Sequence, residues 1–125
     1  VSIRIDGLAD AVANMLSSYN QDVTDDLKGE IKVVANECKN EIISNSPTLT
    51  TDYKKGWRVK KVYETTDDIR VRVFNATDYQ LTHLLEYGHL TRDGVKRVAA
   101  IPHIEPAEKI ASERLMRKVK IILKG

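Results

Sequence analysis

From Val23 to Ile42 the apolar residues Val23, Leu27, Ile31, Val34, Ala35, Cys38 and Ile42 recur at three- and four-residue spacing, whereas from Ile69 to Val73 they recur at every second position. The first period lays one apolar stripe along a helix and the second fills one face of a strand. A chain that carries both periods in separate blocks is an α+β protein, not an alternating α/β one. An earlier stripe, Leu8, Val12, Met15, Leu16 and Tyr19, has the same helical spacing and predicts a first helix. Asn20-Gln21-Asp22 would break it, and Thr24 would cap the second helix, with Asp25 and Asp26 in its first turn. That helix should stop near Ser44, because Pro47 disfavours helix in the residue before it. Two separate helices and one bent rod both fit the pattern.

Residues 46–56 read as a polar connection. Ile69, Val71 and Val73 then alternate with Arg70, Arg72 and Phe74, which predicts a half-buried strand. Trp57, Val59 and Tyr63 predict its partner, although Lys60-Lys61 breaks strict alternation. The short spacing requires an antiparallel hairpin turning at Thr65–Asp68. A short helix follows, with Thr77 and Gln80 placed as a capping box, Leu81, Leu84 and Leu85 facing inward, and Gly88 as a left-handed C-cap. Residues 89–96 read as an exposed loop around Gly94, and 97–101 as a third strand ended by Pro102. A final helix begins near Pro106 and buries Ala107, Ile110, Ala111, Leu115, Val119 and Ile122. Its acids stand at the start (Glu105, Glu108) and its bases at the end (Arg117, Lys118, Lys120, Lys124), which suits the helix dipole.

With 125 residues, the chain is the size of one domain over 1–125, helical in 1–45 and sheet-bearing in 46–125. The hydrophobic share of 42% and charged share of 30% are those of a globular protein with an aliphatic core. A net charge of +2 does not mark a nucleic-acid binder. The single cysteine, Cys38, excludes an intrachain disulfide. No apolar run approaches the ~18 residues that cross a bilayer.

The candidate chemistry is thin. His83, Glu86 and His89 are spaced by three, with His103 downstream, but they lack the one-turn histidine pair of zinc hydrolases. Surface or interface histidines explain them more simply. Cys38 sits on an apolar stripe, where a thiol acts as a small hydrophobe. Ser44 and Ser46 fit a helix end, and Asp67-Asp68 fits a turn. Neither catalytic nor metal-binding residues are expected, and no cofactor. The basic run Lys54, Lys55, Arg58, Lys60 and Lys61 has two readings. It can hold phosphates, with Trp57 stacking on a base, or it can be a strand edge protected by lysines. Near-balanced overall charge favours the edge. Arg92, Lys96 and Arg97 form a second basic group.

Two runs carry a resemblance. Ser46-Pro47, Thr50, Tyr53 and Gly56-Trp57 resemble a stretch of phage minor structural proteins. Asn75, Tyr79, Leu84-Leu85-Glu86-Tyr87-Gly88-His89, then Pro102-His103-Ile104 and Pro106-Ala107, resemble the HK97 gp10-like family of tailed phages, in an order running from about Ser46 to the C-terminus. The resemblance implies a virion protein of the head–tail joining region, a neck or tail-completion component. It would form a homo-oligomeric ring, possible as a monomer in isolation, in contact with other neck, connector or tail proteins. It also implies assembly in the bacterial host cytoplasm and no catalytic residues to carry over. In that frame Leu84 and Leu85 seat the short helix, and Pro102 and Pro106 set the entry to the last one. The loop of His89, Leu90, Thr91, Arg92, Asp93, Gly94 and Val95 becomes the contact with a neighbouring subunit.

The expected architecture is therefore α+β: two N-terminal helices, a small antiparallel sheet of about three strands, a short helix, and a long C-terminal helix packed on the sheet. The expected function is structural. The rival is a nucleic-acid module built on residues 54–61, which a steep loss of DNA affinity with salt would identify.

Overall fold

The computed structural model describes residues 2–14, 16–47 and 51–124. Met15 and Thr50 lie outside the described residues. Strands β1 (Ser2–Asp6) and β2 (Asp10–Asn14) open the chain, followed by a 3-10 turn at Leu16–Ser18 and helix α1 (Gln21–Asn45). Then come α2 (Thr51–Lys55), β3 (Trp57–Glu64), β4 (Ile69–Asn75), α3 (Tyr79–Tyr87), β5 (His89–Leu90), β6 (Arg97–Val98) and α4 (Glu105–Lys124). One antiparallel sheet has the order β1-β2-β4-β3, and β5 and β6 form a separate two-stranded ribbon.

This corrects the expected architecture in two places. The N-terminal stripe is not a helix but a hairpin, turned through Gly7 (φ +65°) and Ala9 (φ +71°). In it Ile3 stands opposite Ala13 and Ile5 opposite Ala11. The sheet accordingly has four strands, not about three, and the segment expected to supply its third strand pairs in the ribbon instead. The physical reason is the free edge of β4. As a strand, β2 pairs Asp10–Ala13 with Arg72–Ile69 and satisfies that edge. A helix over 8–19 would leave β4 unpaired on that side. Ala11 and Ala13, which face inward, are too small to stand out in an apolar pattern.

Elsewhere the periods hold. Helix α1 buries Leu27, Ile31, Val34, Ala35, Cys38 and Ile42. Its cap is Asn20, whose side chain accepts the Val23 N–H at 2.9 Å. Thr24, the expected cap, is buried within the first turns and donates its hydroxyl to the Leu16 carbonyl at 3.3 Å. Ser46 closes the other end, its hydroxyl donating to the Ile42 carbonyl at 2.6 Å. The β3–β4 turn falls at Thr65–Asp68, where the Thr65 N–H donates to the Asp68 carbonyl at 2.9 Å. Lys61, opposite Val71 in the register, breaks the apolar alternation, and a bulge between Lys61 and Tyr63 then turns Tyr63 to the face opposite that of Trp57 and Val59.

One face of the sheet is covered. Helix α1 packs on β2, β3 and β4, and α4 packs on α1 and β1. The core joins Leu27, Ile31 and Ile42 of α1, Ile69, Val71 and Val73 of β4, and Ala107, Ala111, Leu115 and Val119 of α4. Full burial of each large aliphatic side chain contributes about 1.5–3 kcal/mol. Glu37–Arg114 (2.9 Å) and Glu30–Lys118 (2.9 Å) tie the antiparallel α1 and α4 along their outer seam. Exposed pairs of this kind are worth about 1 kcal/mol or less.

Candidate functional site

The two sequence runs singled out above converge in space, at the end of the sheet where α2, α3 and α4 meet. Their centre is Glu86, only 3% exposed although it is a carboxylate. Its Oε1 accepts the backbone N–H groups of His103 and Ile104, each at 2.9 Å, and its Oε2 accepts that of Glu105 at 2.9 Å. Those donors are the unpaired N–H groups that open α4. A side chain from α3 thus caps α4, and the helix dipole favours its charge there.

His103 is fully buried beside it. Its Nδ1 lies 2.8 Å from the Ile101 carbonyl and its Nε2 lies 2.6 Å from the Tyr53 hydroxyl. A carbonyl can only accept, so Nδ1 carries a proton, and it also lies 3.2 Å from Glu86 Oε1. The Tyr53 ring meets Trp57 and His103 edge-on, at 5.7 and 5.6 Å. Burial, followed by the charges of Glu86 and Asp78, raises the Tyr53 hydroxyl pKa, so it stays protonated. Asn75 closes the group. Its amide donates to the Tyr53 carbonyl at 2.7 Å, and its Oδ1 accepts the Asp78 N–H at 2.7 Å.

Two glycines are required here. A Cβ on Gly56 would lie 2.2 Å from Thr77 Oγ1 and 2.6 Å from Asn75 Oδ1. Gly88 has φ +74° and ψ 173°, and a Cβ there would lie 2.5 Å from the Val98 carbonyl. The positive φ expected at Gly88 is present, but ψ 173° is extended, so the expected left-handed cap is not formed. The capping box is not formed either: Thr77 donates its hydroxyl to the Asp52 carbonyl of α2 at 2.9 Å, and Asp78 stands at the N-cap without a side-chain capping bond. Leu81 and Leu85 are partly buried against the core, but Leu84 faces solvent, and Thr82 and Glu86 form the buried face of α3. Pattern reading missed the role of Glu86. A lone acid among apolar residues just before a glycine was the available signal.

Of the candidate metal ligands, Glu86 and His103 adjoin, but His83 does not join them. Glu86 turns inward while His83 stacks on Tyr87 at the surface, with centroids 6.2 Å apart. Among the described residues, no group of three or more His, Cys, Asp and Glu side chains could hold a metal ion. Cys38 is buried, and its pKa is pushed up to about 12, mainly by desolvation and then by Glu108 and Glu41.

The expected loop at 89–96 is an ordered hairpin. His89 pairs with Val98 and Leu90 with Arg97. Thr91 N–H donates to the Lys96 carbonyl at 2.7 Å, and Gly94 turns at φ +73°. Asp93 Oδ1 accepts the Thr91 hydroxyl at 2.6 Å and the Val95 N–H at 3.0 Å, which holds its pKa below the usual value. The base of the hairpin is fixed by Ile101 N–H to the Leu85 carbonyl (2.7 Å) and Arg97 to the Tyr87 carbonyl (3.1 Å). Leu90 and Val95 are 58% and 77% exposed.

The basic run at 54–61 is not one surface. Lys54 and Lys55 sit on α2, and Arg58 and Lys60 are exposed on β3. Lys61 points to the other side of β3, where it meets Glu64 at 3.1 Å together with Lys28 and Lys32. Trp57 is 4% exposed and cannot stack on a base.

The sequence pattern of the HK97-gp10-like family matches residues 10–88, more than half of the chain. The match includes the first motif run and ends at Gly88, so it begins earlier and stops sooner than the resemblance read from Ser46 onward. No curated protein and no solved structure matches. Among the described residues no helix is long and apolar enough to cross a membrane. The motif residues are thus a structural knot of the fold, and the chain belongs to the HK97-gp10-like family of bacteriophage tail components, structural proteins of the virion that work through protein–protein contacts and not by catalysis.

Proposed function

We propose that this protein joins head to tail in a tailed phage or prophage, as a neck or tail-completion component, and that the hairpin 89–98 is its contact with a neighbouring subunit. The observation that carries the reading is the hairpin itself. Its base is fastened to α3, its turn is closed by Asp93, and its aliphatic side chains Leu90, Val95 and Val98 are left in solvent. A small protein gains nothing in its own core from such residues, whereas an interface does. Contacts between identical subunits would be heterologous, one patch meeting a different patch on the next copy, which closes a ring. The chain is a monomer until it docks, and assembly takes place in the host cytoplasm with other neck, connector or tail proteins.

Removal of residues 90–95 tests this reading. Particles made without the protein should accumulate as separate filled heads and tails, and adding back the intact chain should join them. The shortened chain should fold, with an unchanged far-ultraviolet spectrum, yet fail to join. Normal joining by the shortened chain would refute the role given to the hairpin.

A further inference from the structure

The helices cover one face of the sheet and leave the other open. The register assigns the side chains of that open face. Arg4, Val12, Arg70 and Tyr63 line one cross-strand row, Asp10, Arg72 and Lys60 the next, and Phe74 and Arg58 the third. Five cations from three strands therefore share one face. Asp10 bonds both Arg70 and Arg72, at 3.0 Å to the latter, and Asp6 stands opposite Asp10 in the register. Among the described residues no carboxylate is within ion-pair distance of Arg58 or Lys60. The five cations outnumber the Asp10 carboxylate and are spread over strands about 4.8 Å apart.

We infer that this open sheet face binds the phosphate backbone of nucleic acid. The cations are dispersed in rows instead of ringing an apolar centre, which suits a line of phosphates. Val12, the aliphatic residue in the middle, is buried between its register partners Arg4 and Arg70 in the sheet. A protein-docking face would need exposed apolar surface at that centre, and lysine is depleted from such interfaces. Of the exposed aliphatic residues, Leu90, Val95 and Val98 lie on the 89–98 hairpin, and among the described residues of this sheet only Val62 of β3 stands exposed, at the rim. Tyr63 and Tyr79, exposed at two rims of the face, offer rings to unstacked bases. The site draws on β1, β3 and β4, so it is not the contiguous run 54–61, and it is independent of the joining role.

The test is fluorescence anisotropy of the full chain with a labelled 20-nucleotide oligothymidine and a labelled 20-base-pair duplex. Binding at 50 mM salt should weaken by about 20- to 40-fold at 200 mM, the loss for about three neutralised phosphates. Arg58→Glu with Lys60→Glu should lower affinity at least tenfold. Lys109→Glu with Lys120→Glu, the same charge change on exposed positions of α4, should leave it within about twofold. Thermal melts establish that both variants fold. No binding to either probe at 50 mM salt overturns the inference, as does equal loss in the two variants, which would reflect net charge alone. If the sheet variant loses head–tail joining while the intact chain binds neither probe, the face docks an acidic protein and the nucleic-acid assignment is wrong.

Discussion

Glu86 of α3 accepts the backbone N–H of His103 at 2.9 Å, seventeen residues further along the chain, and so fixes where α4 begins. The bond belongs to a buried set in which a carboxylate, an imidazole and a tyrosine hydroxyl are satisfied by one another and by backbone. Leaving one such buried group without its partner costs about 1–3 kcal/mol.

Glu86→Ala therefore destabilises the protein by at least about 3 kcal/mol, since three backbone donors lose their acceptor together. Glu86→Gln keeps the shape and one strong acceptor, and costs less. Urea unfolding should rank the midpoints as wild type, then Glu86→Gln, then Glu86→Ala. Equal midpoints for wild type and Glu86→Ala would contradict the capping role.

Two glycines with similar φ should respond differently to alanine. Gly88 (φ +74°) faces the Val98 carbonyl, while Gly94 (φ +73°) has open space where a Cβ would lie. Gly94→Ala pays backbone strain alone, about 1 kcal/mol. Gly88→Ala also drives a methyl into backbone at the foot of the hairpin and should cost about 3 kcal/mol or more. Thermal melting of the two variants checks the order.

Cys38 should be inert in the native protein. Its pKa is raised from 9.0 to about 12, so at pH 8 the folded chain carries about a thousandfold less thiolate than the unfolded one. Iodoacetamide should label Cys38 at pH 8 only at the rate of unfolding. The raised value means that the folded state favours the protonated thiol. That contribution is fully present below pH 9.0 and is lost as pH rises through 9.0 towards about 12. Stability should thus fall between pH 9 and pH 11 more steeply in the wild type than in Cys38→Ala. Parallel pH profiles for the two would show that Cys38 does not titrate with unfolding.

Long, strongly periodic segments declared themselves in the sequence. The stripe from Leu27 to Ile42, the alternation from Ile69 to Val73, the turn at Thr65–Asp68, the stripe from Ala107 to Val119 and the positive φ at Gly88 are all local consequences of residue type and spacing. They hold because each segment buries the same face whatever it packs against. Tertiary structure decided the rest. Leu8, Val12 and Leu16 have helical spacing, yet residues 10–14 are a strand because the edge of β4 needed backbone partners and Ala11 and Ala13 could face the core. Thr77 left its capping box because the Asp52 carbonyl was within reach. The charge of Glu86 could be buried only because α4 presents its N–H groups there, a pairing made across two elements and a hairpin that spacing along the chain does not encode.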